Sequence, residues 1–184
     1  MKHKLRSYSL LILVAGVIVI LDQITKILVR SNLDEGEIWS PWKWLLPYAR
    51  IVHIHNSGAA FGMLPGFGGV FTVLAVIVAI AILYYFPRVP RDEWVLRLAL
   101  CLQFGGAIGN LIDRLHQGYV TDFISVMTFA VFNIADASIT IGVAILILSM
   151  WFKEQKKDPS ENTRQSDPSG EAAGAAVAED ATGE

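Results

Sequence analysis

The chain has 184 residues, of which 53% are hydrophobic and only 17% charged, and its mean hydropathy is +0.47. Soluble domains carry about 25% charged residues, so we expect a lipid bilayer to surround this protein. The net charge of −2 excludes a strongly basic nucleic-acid binder, and the single cysteine, Cys101, excludes both an intramolecular disulfide and a CxxC motif. We therefore expect no nucleic-acid partner, no cofactor and no metal site.

The N-terminus begins with the charged stretch Met-Lys-His-Lys-Leu-Arg and is apolar from Tyr8 to Leu21, as a secretory signal is. The residues that follow, Asp-Gln-Ile-Thr-Lys, do not form a small-residue cleavage site, and the stretch 13–16 lacks a lipidation cysteine. We interpret this segment as a retained membrane helix.

Four segments are long enough to cross a hydrocarbon layer about 30 Å thick, which requires roughly 20 helical residues. They cover about 8–30, 66–86, 94–112 and 133–152. We therefore predict an all-α membrane protein, a bundle of four transmembrane helices built from residues 1–152. Cations on the short flanks favour a cytoplasmic location for both termini, although the outer connections also carry Lys43, Arg50 and Arg114. The inner cations are Lys2, Lys4, Arg6, Arg88, Arg91, Lys153, Lys156 and Lys157.

The first outer loop, residues 31–65, contains interfacial aromatic residues and the stretch Arg-Ile-Val-His-Ile-His at 50–55, which is typical of a short strand. We predict a small extracytoplasmic β element there. His53 and His55 lie on one face of that strand, but no third ligand accompanies them, so we interpret them as surface polar residues. Residues 153–184 are rich in acids, Ser, Gly and Ala and are predicted to be a disordered cytoplasmic tail.

Polar residues from separate segments fall at one level of the membrane. A helix rises about 1.5 Å per residue, so span four extends roughly 25 Å inward from Asp136, which lies near its outer end. The same counting brings polar residues of other spans to this outer level, namely Asp22, Lys26, Asn110, Asp113 and Arg114. The outer loops themselves contain Asn56, Gly58 and Asp122.

Several of these residues have both a structural and a functional interpretation. Asp22 and Lys26 are four residues apart on one helical face, so they are either an ion pair or part of a site. Asp113 and Arg114 are interfacial anchors, a structural pair with another span, or functional groups.

Other polar and small residues are interpreted as structural. Asn110 and Asn133 are typical of helix-end hydrogen bonding, and Asn133 is a candidate cap of span four. Gly105 and Gly109 have the Gly-xxx-Gly spacing that permits close helix packing.

Asp122 and Asp136 are two carboxylates that an outer loop and a helix start can bring face to face. Two carboxylates that share one proton form an acid/base pair, because close like charges separate their titrations. The ionised member would activate water and the protonated member would polarise a carbonyl group. A structural role or a proton relay is the alternative for these two residues.

Five motifs together resemble the bacterial lipoprotein signal peptidase family (signal peptidase II). The resemblance runs from about residue 8 to residue 152 and preserves the family's motif order. The motifs are Asp22-Gln-Ile-Thr-Lys26, Asn56-Ser-Gly-Ala-Ala-Phe-Gly62, Gly105-Gly-Ala-Ile-Gly-Asn-Leu-Ile-Asp-Arg114, Val120-Thr-Asp-Phe123 and Phe132-Asn-Ile-Ala-Asp136.

This resemblance implies an aspartic endopeptidase of the bacterial cytoplasmic membrane, active at the extracytoplasmic face. It would cut diacylglyceryl-modified prolipoproteins just before the lipidated cysteine. Membrane lipids would surround it, and globomycin-type inhibitors would target it. By motif position Asp122 and Asp136 match the catalytic dyad. The matches to site-shaping, substrate-binding or supporting positions are Asn56, Gly58, Asn110, Arg114, Asn133, Asp22, Lys26 and Asp113.

Two other functions compete with the peptidase. A small transporter or proton channel would use the intramembrane charges as a relay, but the inner halves of the spans are nearly free of charge. A non-enzymatic assembly or lipid-binding protein would use the glycine face and the tryptophan loop for contacts.

Overall fold

The computed structural model describes residues 2–58 and 67–155, with side chains from residue 8 onward. Within these ranges it contains four long helices, α1 (Lys2–Asn32), α2 (Gly68–Tyr85), α3 (Trp94–Gln117) and α4 (Ile134–Gln155). Each helix is long and apolar enough to cross a membrane, which confirms the predicted fold class. Helix α3 continues five residues past the predicted end of its span and stops at Gly118, whose φ of 80° suits a left-handed helix cap.

Some predictions concern residues outside the described ranges. They are the start of the second span at 66, the motif residues 59–62, most of the predicted tail (156–184) and the side chains of the N-terminal cations. Packing divides the chain into two units. The first, Met1–Ile147, contains the sheet and every candidate site residue discussed above, and the second, Leu148–Glu184, begins with the last turns of α4.

The helices expose large apolar side chains in every span. Ile12, Ile80 and Ile147 are each about 60% exposed or more. Because lipid tails are as apolar as these side chains, such surfaces suit a membrane and would be unusual in water.

Helix α3 packs closely on its neighbours through glycine. A Cβ atom at Gly105 would lie 3.1 Å from the Cα of Ala15 on α1, and one at Gly106 would lie 2.4 Å from the carbonyl oxygen of Ala135 on α4. Neither position accepts a side chain without movement of a backbone. The packing interpretation of the glycine-rich segment is therefore confirmed.

Three antiparallel strands form a small sheet in the order β1 (Ile38–Trp39), β2 (Ala49–Asn56) and β3 (Val120–Val126). Strands β1 and β2 come from the first outer loop, where a β element was predicted. Strand β3 follows α3 and was not predicted. Its register pairs Asp122 with Ile54 on β2, so the strand brings this carboxylate beside the first loop.

Both histidines of β2 were predicted to be surface polar residues, but only one of them reaches the surface. His53 is only 6% exposed, and its Nδ1 lies 2.8 Å from the carbonyl oxygen of Leu33. His55 is partly exposed, and its Nδ1 lies 3.1 Å from a carboxylate oxygen of Glu35. The surface interpretation was wrong for His53 because the segment between α1 and β1, residues 33–37, packs against this part of the strand.

Candidate active site

Asp122 lies near the middle of β3 and is almost fully buried. Both of its carboxylate oxygens accept hydrogen bonds from amide side chains on other elements. Asn56 Nδ2 donates to Oδ2 at 2.7 Å, and Asn133 Nδ2 donates to Oδ1 at 2.7 Å. The carboxylate is thus held between the sheet and the start of α4.

Asp136 occupies the third position of α4, where it forms a reciprocal cap with Asn133. The backbone N–H of Asp136 donates to Asn133 Oδ1 at 2.9 Å, and the backbone N–H of Asn133 donates to Asp136 Oδ2 at 3.3 Å. The other oxygen, Oδ1, accepts from Asn110 Nδ2 at 2.7 Å. Asn133 therefore caps α4, as predicted, and also contacts both carboxylates.

Three asparagines present their NH₂ groups to the two carboxylates, because the amide oxygen of each asparagine already accepts a hydrogen bond from another donor. Asn56 Oδ1 accepts from the backbone N–H of Gly58 at 3.0 Å. Asn110 Oδ1 accepts from Lys26 Nζ at 2.9 Å, and Asn133 Oδ1 is taken by the helix cap. A flipped amide would turn NH₂ toward another donor, so these contacts determine the orientation of each amide.

Lys26 is the centre of a buried charge cluster behind the asparagines. Its Nζ lies 2.9 Å from Asp22 Oδ2 and 3.1 Å from Asp113 Oδ2, and all three side chains are fully buried. The remaining carboxylate oxygens support other elements. Asp22 Oδ1 accepts from the N–H of Ala135 at 3.0 Å, and Asp113 Oδ1 lies 3.6 Å from Arg30.

Of the interpretations left open, an Asp22–Lys26 ion pair is therefore confirmed, and Asp113 pairs with another span. This cluster joins α1 and α3 to the start of α4.

A cavity of about 630 Å³ lies between α2, α3 and α4 and opens onto both carboxylates. Its lining includes six of the candidate site residues predicted from the sequence, and Phe71, Leu74 and Val78 of α2 form an apolar wall. The Arg114 guanidinium lies 5.8 Å from the centre of the Phe71 ring. The six are Asn56, Gly58, Asn110, Arg114, Asp122 and Asp136. Asn133, Asp22, Lys26 and Asp113 do not line it.

Residues 14–152 match a family model described as signal peptidase (SPase) II. The chain belongs to the signal peptidase II family. A lipoprotein signal peptidase of Moorella thermoacetica is 40% identical over 154 residues, which cover 80% of this chain and 98% of the relative. One from Halalkalibacterium halodurans is 40% identical over 155 residues, covering 82% and 97%.

The fold also matches solved structures of bacterial membrane enzymes. A structure described as a bacterial membrane enzyme at 2.3 Å resolution has a TM-score of 0.75 and 34% identity, and covers 81% of this chain and 92% of that chain. A second, at 1.9 Å resolution, has a TM-score of 0.68 and 35% identity, with 76% and 91% covered. This member of the signal peptidase II family is a multi-pass membrane protease, and membership decides against the transporter and assembly hypotheses.

In this family member, burial and, to a smaller extent, the negative charge of Asp136 raise the pKa of Asp122 to about 7. The hydrogen bonds from Asn56 and Asn133 and the charge of Lys26 act in the opposite direction. Because burial prevails, the pKa of Asp122 lies near neutral pH.

Some residues around the site were not found from the sequence. Gln23 Nε2 donates to the carbonyl oxygen of Gly109 at 3.1 Å, and the N–H of Thr121 donates to Asp113 Oδ2 at 3.0 Å. Gln103 lines the cavity. Helical spacing of seven residues back from Asn110 was the available signal for Gln103, whereas Thr121 was not predictable without strand β3.

Proposed function

We propose that this protein removes the signal peptide from diacylglyceryl-modified prolipoproteins by cutting just before the lipidated cysteine, with Asp122 and Asp136 as the catalytic dyad. The proposal rests chiefly on one observation, two carboxylates, the buried Asp122 and the partly buried Asp136, that open onto the same cavity and are contacted by the same asparagine. The names of the relatives support the substrate class. The raised pKa of Asp122 supports a pair that holds one proton at neutral pH.

In the proposed reaction, the ionised carboxylate accepts a proton from a water molecule whose oxygen attacks the scissile carbonyl carbon. The protonated carboxyl group donates its proton to the carbonyl oxygen, giving a tetrahedral gem-diol. The C–N bond then breaks as the cysteine nitrogen takes a proton from one carboxyl group and a gem-diol hydroxyl returns a proton to the other. The products are a signal peptide with a free carboxyl group and a lipoprotein with a free α-amino group.

The surrounding residues have separate proposed roles. Asn56, Asn110 and Asn133 hold the two carboxylates in place through charge-assisted hydrogen bonds. Arg114 and Gly58 line the cavity and are positioned to contact substrate. The buried cluster of Asp22, Lys26 and Asp113 supports these groups from behind.

We propose that the dyad faces the extracytoplasmic side and that both termini are cytoplasmic. The basic flanks support this orientation, because cytoplasmic connections carry the excess of Lys and Arg. A cysteine introduced at partly exposed Ser40 should then react with an impermeant maleimide in intact cells, and one at exposed Asp92 should react only after lysis. The reverse labelling pattern would overturn the orientation.

In the same proposal, residues 1–152 form the peptidase domain and 153–184 an acidic tail without a catalytic role. Membrane lipids cover the exposed apolar faces of the helices. Globomycin-type inhibitors would block cleavage by occupying the cavity, and titration of the purified enzyme with globomycin tests this.

The test is cleavage of a lipid-modified precursor by purified Asp122→Asn and Asp136→Asn variants. Each should insert in the membrane normally and lose about 10²-fold to 10⁴-fold in kcat, the usual contribution of a positioned acid or base. Asp92→Asn is the matched control, because Asp92 is exposed in the connection before α3. Full cleavage by either dyad variant would show that the dyad is wrong.

A further inference from the structure

Among the side chains that the structure describes, two buried nitrogen atoms have no hydrogen-bond partner, His53 Nε2 and Gln103 Nε2. His53 belongs to the sheet, outside the spans. Gln103 lies within the membrane-spanning part of α3, where no bulk water compensates for a missing hydrogen bond. An amide without a partner in this position is costly, so its presence needs an explanation.

Gln103 lies on the same face of α3 as the polar lining of the active-site cavity. Gln103, Ala107, Asn110 and Arg114 all line that cavity, and their spacing of four, three and four residues follows one side of a helix. Seven residues separate Gln103 from Asn110, which corresponds to about 10 Å along the helix axis. Gln103 is thus a polar group about two turns deeper in the membrane than the dyad.

Among the described residues, no group around Gln103 forms a hydrogen bond with its Nε2. The cavity wall opposite α3 consists of apolar residues of α2, including Leu74 and Val78. On the other side α4 approaches so closely that a Cβ at Gly142 would lie 2.8 Å from Gln103 Cγ. Because Gln103 lines the cavity, a molecule that fills the cavity can supply a partner for Nε2.

We propose that Gln103 is a specificity-determining residue that hydrogen-bonds a serine or threonine hydroxyl of the substrate's signal segment, about two helical turns before the scissile bond. This inference rests on the proposed function. The signal segment is apolar and crosses the bilayer, so it extends from the dyad toward the depth of Gln103. Acyl chains of lipids carry no hydrogen-bonding group and do not satisfy the amide, whereas a hydroxyl group both accepts and donates.

The test uses lipid-modified precursors that differ only by serine or alanine at each position from three to ten residues before the cysteine. For the native enzyme, one position should show a serine-to-alanine ratio of kcat/KM of about 3 to 10, the range expected for one interhelical hydrogen bond. The change should appear in KM and not in kcat, since the contact is equally present before and during reaction.

In the Gln103→Met variant, this ratio should fall to about 1 at every position, while cleavage of the alanine substrates continues. Gln117→Met is the matched control, since Gln117 is at the end of the same helix and does not line the cavity. The proposal would be overturned if the native enzyme and Gln103→Met had the same serine-to-alanine ratio of kcat/KM, or if neither enzyme preferred serine at any position.

The stability of the substrate-free enzyme provides a second, independent measurement. Replacing an amide whose Nε2 is buried without a partner by an apolar side chain of similar size should raise Tm by at least about 2 °C. A lower Tm for Gln103→Met would mean that the amide has a structural partner, which overturns the inference. If instead the native enzyme leaves every lipid-modified precursor uncut, the proposed function itself fails.

Discussion

Replacing Lys26 by methionine should destabilise this protein more than removal of an exposed charge. Lys26 Nζ contacts Asp22, Asp113 and Asn110, and none of the charged partners reaches solvent. Lys26→Met leaves two buried carboxylates without this cation, and breaking a buried pair costs about 3–5 kcal/mol. For a chain of this size, about 2–4 °C is lost per kcal/mol, so Tm should fall by about 6 to 20 °C.

The measurement is thermal unfolding of the purified protein in detergent at one scan rate, because membrane proteins often unfold irreversibly. Lys43→Met is the matched control, since Lys43 is exposed in the outer loop, and its Tm should change by no more than about 2 °C. Adding Asp113→Asn to Lys26→Met removes one uncompensated charge and should recover part of the loss. A Lys26→Met Tm within 2 °C of the native value would refute the reasoning.

Two further predictions concern packing and pH. Gly106→Ala places a Cβ 2.4 Å from the carbonyl oxygen of Ala135 and should cost about 1–3 kcal/mol in thermal unfolding, whereas Gly69→Ala meets no atom within 4 Å and should not destabilise. Equal Tm values for the two would contradict this. Folding raises the pKa of Asp122 from 3.8 to about 7, so the stability from its bound proton is present below pH 3.8 and lost as pH rises through about 7. Native Tm should therefore fall from pH 4.5 to pH 8 more than that of Asp122→Asn, and parallel curves would exclude the raised pKa.

Cleavage activity should follow the same proton. A dyad that holds one proton loses it as pH rises above about 7, so kcat/KM should decline on the alkaline side. A rate that stays constant from pH 7 to pH 9 would contradict a shared proton on Asp122.

Length and hydropathy sufficed to predict the helices, because the energetic cost of exposing a backbone to lipid leaves few alternatives to four apolar spans. The depth of Asp22, Lys26, Asn110 and Asp136 followed from the constant rise of a helix. The β element was predicted only in part. Strand β3 was missed because strand pairing depends on partners remote in sequence, and its partner β2 lies more than 60 residues earlier.

The sequence alone therefore determined the spans, the common level of the polar groups and, through its motifs, the family. Only the tertiary structure decided which polar groups meet. Asp122 and Asp136 open onto the cavity, while Asp22 and Asp113 pair with Lys26 behind it. Periodicity specifies depth along a helix, but contact also depends on how the helices rotate and approach one another. That rotation is determined by close packing at glycines such as Gly105 and Gly106. Counting residues along a single helix does not predict this packing.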